Sequence, residues 1–183
     1  GPITAIFCPS FISAEKSFII KYNGVINAGV NALYDKLVTA GAPDSVAVGV
    51  LATVGTIASN AYERTIREIG AQNGYNGYIK VVNHPCAGFA EAVDQEKDFV
   101  NVTLTAPREG YRGPKLGTGS EDIKEGLLGI YNFDYADGAV LREKVNGSYT
   151  SFQLNSAANY ARFHLVTLLE KHKASGAQIP LKH

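Results

Sequence analysis

Val46 to Leu51 is an unbroken apolar run rich in β-branched side chains, set between Pro43-Asp44-Ser45 and Ala52-Thr53. A strand covered on both faces reads this way, because polar–apolar alternation is lost when neither face meets water. Small and hydroxyl-bearing residues follow at Thr53 to Thr56, and a helical pattern then runs through Ile69 to a stop at Gly70. Upstream, Ala28 to Ala40 sets Val30, Leu33, Tyr34 and Leu37 on one helical face, closed by Gly41 and Pro43. Ile3 to Phe7 predicts a short strand ended by Pro9, Ala14 to Ile20 a helix, Gly24 to Ile26 a short strand, and Tyr78 to Val82 a further strand. Strands alternating with helices predict a parallel sheet with right-handed crossovers.

Residues 96–152 break that rhythm. Val100 to Leu104 and Ile130 to Tyr135 predict strands, and Arg108 to Glu121, rich in Gly, Pro and charge, an exposed loop. Ala139 to Lys144 and Tyr149 to Leu154 flank Asn146-Gly147, a strong hairpin signal. This is the pattern of a β-rich insertion. Asn159 to Ser175 then predicts an amphipathic helix carrying Tyr160, Phe163, Leu165, Val166 and Leu169, with Gly176 beyond its end. Tyr131, Phe133 and Tyr135 are expected to pack in the core or on a sheet face.

At 183 residues the chain suits one α/β domain or two small lobes with a proper core. Lys plus Arg and Asp plus Glu both number 17, so no basic stripe is expected and nucleic acid is not the expected partner. No apolar stretch reaches the length of a membrane span, and no basic-then-apolar leader opens the chain. Two cysteines, Cys8 and Cys86, make no disulfide framework, which fits the reducing cytoplasm. The opening Gly1-Pro2 and the lack of any Met suggest that both ends are cut points of a longer protein.

Candidate chemistry gathers at strand ends. Thr53 and Thr56 fall where ligands bind in open α/β sheets, ahead of a helix whose N–H groups and dipole suit a carboxylate. Ser and Thr also serve there as plain helix caps, and the local pattern leaves both readings open. The four histidines show no metal-ligand spacing, and His84, beside Pro85 and Cys86, reads as a loop residue rather than a ligand.

Gly49 to Tyr62, with its Ala52-Thr53-Val54-Gly55-Thr56 turn and Ser59-Asn60-Ala61-Tyr62, resembles the aspartate/glutamate racemase superfamily, glutamate racemase above all. Asn23 to Ala32 is similar to the family's Gly-Val-Ile-x-x-Gly segment. Val82 to Val93 is similar to its Ala-Cys-Pro segment, with Pro85 and Cys86 in reversed order. The resemblance covers roughly half the chain. It implies a three-layer αβα parallel sheet, residues 1–25 closing a first lobe and 26–183 forming a second, with the insertion at about 96–152. It also implies a cofactor-independent racemase of acidic amino acids, without metal, and allows for a homodimer.

In that family two cysteines flank the substrate α-carbon. One thiolate removes the proton and the other thiol returns one from the far side. The resemblance places the first at Cys8, where Cys8-Pro9-Ser10 stands in for Cys-Asn-Thr, and gives Ser10, Thr53 and Thr56 to the substrate carboxylates. Taken without it, Cys8 reads as a small buried hydrophobe. Cys86 falls in a segment without a catalytic role in the family and reads as structural. The family's Asp-Ser-Gly and Gly-Cys-Thr-His motifs have no match, so the expectation is a fragment with little racemase activity of its own. The alternatives are a module that binds a small acid without turning it over, and hydantoin racemase or maleate isomerase chemistry.

Overall fold

The computed structural model describes residues 6–7 and 25–175. The chain is mixed α/β, with a three-stranded parallel sheet and a separate two-stranded antiparallel sheet. It divides into two compact units. Unit 1 comprises residues 1–86 and 168–183, and unit 2 residues 87–167.

Unit 1 holds β1 (Ile6–Phe7), α1 (Val25–Thr39), β2 (Ser45–Ala52), α2 (Val54–Ala58), α3 (Ala61–Gln72) and β3 (Tyr78–Pro85). The strand order is β1-β2-β3, with Phe7 opposite Leu51 and the β2–β3 ladder running unbroken from Ser45–Tyr78 to Ala52–Pro85. As its apolar run requires, β2 is buried on both faces from Val46 to Ala52. Val46, Val48, Val50 and Ala52 pack with Val30, Leu33, Tyr34 and Leu37 of α1 and with Tyr62, Ile66 and Ile69 of α3. Burying each of the valine, leucine and isoleucine side chains contributes about 1.5–3 kcal/mol. On the opposite face, a side chain at Gly49 would overlap Leu168, so the absent Cβ is what admits that leucine.

Three expectations about helices change. Val25 and Ile26 do not form a strand but open α1, since their apolar spacing joins that of Val30 and Leu33. The helix after Thr56 is broken: α2 ends at Ala58, and Asn60 takes a left-handed conformation (φ 57°) before α3 begins. Nor does Gly70 end α3. It provides the hollow into which the Tyr34 ring of α1 fits, with the Tyr34 hydroxyl donating to Ile66 O (2.6 Å), and the helix continues to Gln72. Burial, and then the neighbouring Tyr75, push the Tyr34 hydroxyl's pKa up.

Unit 2 holds α4 (Phe89–Val93), α5 (Leu128–Tyr131), the hairpin β4 (Val140–Val145) and β5 (Ser148–Leu154), and the first part of α6 (Ala157–Ala174), whose last turns from Leu168 belong to unit 1. The hairpin forms where Asn146-Gly147 places it, both residues at positive φ (51° and 85°) as a tight two-residue turn demands. Val100 to Leu104 is not a strand. Asn101 turns its carboxamide oxygen back onto Thr103 N (3.1 Å) and Thr103 Oγ1 (2.7 Å), and this local bonding competes with strand pairing. Ile130 to Tyr135 is not a strand either. After α5, Asn132 goes left-handed (φ 51°) and swings Phe133 back to stack on Tyr131, with ring centroids 4.8 Å apart. Both rings reach the core, while Tyr135 is exposed under the Arg142 guanidinium.

Much of unit 2 is irregular, and three buried amides satisfy part of its backbone. Asn155 bonds Asn101 N, Asn101 O and Gly138 O. Asn159 bonds Asp134 N, Asp134 O and Ala139 O. Gln153 bonds Arg108 N and Arg108 O. Each carboxamide offers one acceptor and two donors, the same groups a neighbouring strand would supply. Beneath them, Leu154 N donates to Tyr111 Oη (3.0 Å), which lies 3.1 Å from Tyr160 Oη, and Tyr160 donates to Phe99 O (3.3 Å). Burial pushes Tyr160 up to about 12, and pushes Tyr111 upward as well.

Candidate functional site

The carboxyl edge of the parallel sheet is where β2 runs out at Ala52. Thr53, extended at φ −60° and ψ 156°, caps α2: its Oγ1 accepts from Thr56 N (3.3 Å) and lies 2.9 Å from Thr56 Oγ1. The capping reading is therefore realised. Counting protons leaves something over. Only one of the two hydroxyls donates across that 2.9 Å contact, so the other keeps an O–H able to donate to an outside acceptor. Both threonines are half-buried, and Val54 and Gly55 between them are exposed. The dipole expected of a long helix is absent, because α2 is five residues long and Asn60 breaks the axis before α3. Any anion here would rely on hydroxyls and nearby cations rather than on a macrodipole.

Cys8 and Ser10 lie outside the described residues. The strand that precedes them, β1, ends at Phe7, level with Leu51, two residues before the Thr53 turn on the neighbouring strand.

On the other side of β2, the structure brings in two groups that sequence reasoning passed over. His84 is not in a loop but in β3, opposite Leu51, and is fully buried. Its Nδ1 lies 3.2 Å from the Nζ of Lys171. Lys171 stands one helical turn after Leu168, so the packing of Leu168 on Gly49 also carries the ammonium to the strand end. Cys86 is buried, with its backbone N–H donating to Ala52 O (2.8 Å) and its thiol directed at His84 O (3.8 Å). Its Sγ lies within 4.8 Å of a His84 ring nitrogen, but these two ligands of unit 1 do not by themselves make a metal centre. The Val81-Val82 pair was the available signal that β3 continues through His84. Nothing local in the sequence ties Lys171 to it.

In unit 1 the edge thus carries a hydroxyl pair on β2's exit and an imidazole–ammonium pair on β3's. A hydroxyl can donate to a carboxylate oxygen, and an ammonium can balance its charge. None of the helices is long and apolar enough to cross a membrane among the described residues. Compared with known proteins, the chain matches no protein family, no curated protein and no solved structure.

Proposed function

We propose that the carboxyl edge of the parallel sheet is a small-carboxylate site, and that the reaction served there is cofactor-independent racemisation of an acidic amino acid. The supporting observation is the parallel register of β1 and β2. It ends β1 beside Leu51, so the sequence position of Cys8 directly follows a strand whose neighbour delivers Thr53 and Thr56. The three-layer racemase-type fold and its division into lobes belong to the same proposal.

The chemistry asks for a base near neutral pH and for donors to the substrate carboxylates. A thiolate supplies the first once nearby dipoles or cations lower its pKa, and Cys8 has that role here. The spare threonine hydroxyl and the Lys171 ammonium supply donors, with Ser10 as a further hydroxyl. Charge accumulating on the carboxylate as the α-proton leaves is what these groups would stabilise in the transition state. Inversion needs a second thiol on the opposite face; with one base alone, the proton would exchange with solvent and the hand be kept.

The test is loss of the α-proton signal in D₂O, measured on the full-length protein with L- and D-glutamate and L- and D-aspartate. Exchange with at least one pair is expected, and Cys8→Ser should abolish it from one enantiomer. No exchange with any of the four removes the acidic amino acid racemase. A second reading, binding without turnover, is favoured by the mutual satisfaction of Thr53 and Thr56, which leaves a single hydroxyl donor at the turn. Thermal stabilisation by these acids without exchange is its signature. Exchange of a hydantoin, or isomerisation of maleate, would instead keep the superfamily and change the substrate.

A further inference from the structure

Asparagine followed by glycine readily loses its side-chain amide without an enzyme, because no glycine side chain shields the next N–H from the carboxamide carbon. Asparagine ranks among the thermolabile residues for this reason. The described residues contain three such pairs, Asn73-Gly74, Asn76-Gly77 and Asn146-Gly147, and the fold treats them differently.

Ring closure demands two things. The carboxamide must be free to turn onto its own main chain, and the next N–H must be open to attack it. At the end of α3 neither holds. Asn73 Nδ2 donates to Ile69 O (2.9 Å), and Gly74 N donates to Ala71 O (3.2 Å). At the second pair the Asn76 side chain is exposed, but Gly77 is wedged: a Cβ there would overlap the Tyr75 hydroxyl and Pro43 O. The Tyr75 hydroxyl itself donates to Pro43 O, and Tyr78 N donates to Asp44 O (2.8 Å) just beyond. Turning the peptide between Asn76 and Gly77 means disturbing both.

The hairpin tip is the opposite case. Asn146 and Gly147 are both exposed, and neither the Asn146 carboxamide nor the Gly147 N–H is hydrogen-bonded among the described residues. A Cβ on Gly147 would meet nothing within 4 Å, so the ring has room to form. Arg142 to Val145 of β4 are all exposed, and the register already shifts between Glu143 and Lys144. The last pairs, Lys144–Tyr149 and Val145–Ser148, are held by the ladder and by the Lys144 ammonium over the Tyr149 ring (4.2 Å). Asn146, left-handed at φ 51°, must rotate out of the turn to close the ring. Such fraying costs little where few buried apolar contacts are lost.

We infer that Asn146 is a site of spontaneous modification, converting to aspartate and isoaspartate through a cyclic imide. The Gly147 nitrogen attacks Asn146 Cγ and forms a C–N bond. The Cγ–Nδ2 bond breaks, and ammonia leaves with the proton that the Gly147 nitrogen gives up. Water then adds to one of the two imide carbonyls. Opening at Cγ gives aspartate; opening at the main-chain carbonyl gives isoaspartate, whose backbone is one methylene longer. Either product puts a carboxylate in the turn two residues from Lys144, and the longer backbone no longer fits a two-residue turn. The tip is thus a slow, irreversible charge switch, independent of the carboxylate site of unit 1.

The test holds the full chain at mildly alkaline pH, folded in buffer and unfolded in guanidinium chloride, and follows each asparagine by peptide mapping that separates aspartate from isoaspartate. In the folded protein Asn146 should convert at least about tenfold faster than Asn73 and Asn76, and should give both products. In denaturant the three rates should converge, because the ranking is imposed by the fold. Conversion of Asn73 or Asn76 as fast as Asn146 in the folded protein would overturn the inference. So would an Asn146 that stays intact while the unfolded chain converts, or a ranking that denaturant leaves unchanged.

Discussion

In unit 1 the β2–β3 ladder pairs every residue from Ser45 to Ala52, so the buried backbone is answered by other backbone. In unit 2 the long run from Asp94 to Gly138 contains only single turns of helix and one isolated bridge, Leu116 to Ile123, and beside its own turn bonds it relies on Gln153, Asn155 and Asn159 at residues 101, 108, 134 and 138. The two solutions meet the same requirement, that a buried N–H or C=O find a partner. They differ in what they depend on. A ladder depends on many interchangeable apolar side chains that hold strands and helices together, whereas an amide clasp depends on one side chain in one place.

The first way to break this contrast is a truncation in each unit. Leu33→Ala removes a fully buried side chain from the α1 face of unit 1 and should cost about 2–5 kcal/mol in urea unfolding, with the cost shared across the sheet and its helices. Asn159→Leu keeps the volume but strands Asp134 N and Asp134 O, while Ala139 O keeps its bond from Asn155 N, and should cost about 2 kcal/mol or more. Hydrogen exchange should show that loss concentrated at residues 132–140 while β2 and β3 stay protected. Equal deprotection of both units by Asn159→Leu would mean that the amide is not a local clasp.

A smaller effect sharpens the comparison through pH. Tyr160 keeps its proton in the fold up to about 12, while an unfolded tyrosine loses it near 10. Above pH 10 the unfolded chain therefore binds fewer protons than the folded one, and stability must fall as pH rises. The contribution is fully present below about pH 10 and is lost by about pH 12, amounting to about 2–3 kcal/mol from Tyr160, with Tyr111 adding in the same direction. Tyr160→Phe should flatten this alkaline slope. An unchanged slope would place the titrating group elsewhere.

The same contrast explains what was legible in the sequence. The β2 run, the α1 face with Val30, Leu33, Tyr34 and Leu37, the Asn146-Gly147 hairpin and α6 could all be read, because each rests on a period or a turn residue within a short window. Val100 to Leu104 and Ile130 to Tyr135 were misread. Their alternation is genuine, but Asn101 and Asn132 redirect the backbone by local side-chain bonding and a left-handed turn. The long-range clasps, from Asn155 to Asn101 and from Asn159 to Asp134, leave no periodic trace at all. At the site, the hydroxyl pair was foreseen at Thr53 and Thr56, and its internal bonding was not. The His84–Lys171 contact joins residues whose proximity follows only from the packing of Leu168 onto Gly49.

The central functional claim is that the exit of β2 receives a small carboxylate. The most direct measurement follows the backbone amide resonances of the full chain as L-glutamate is added. Saturable shifts at Val54, Gly55 and Thr56, lost on replacing Lys171 with Gln and weakened by Thr53→Val, are the predicted result. Resonances at that turn that stay fixed as glutamate rises to about 50 mM, far above a millimolar Kd, would contradict it.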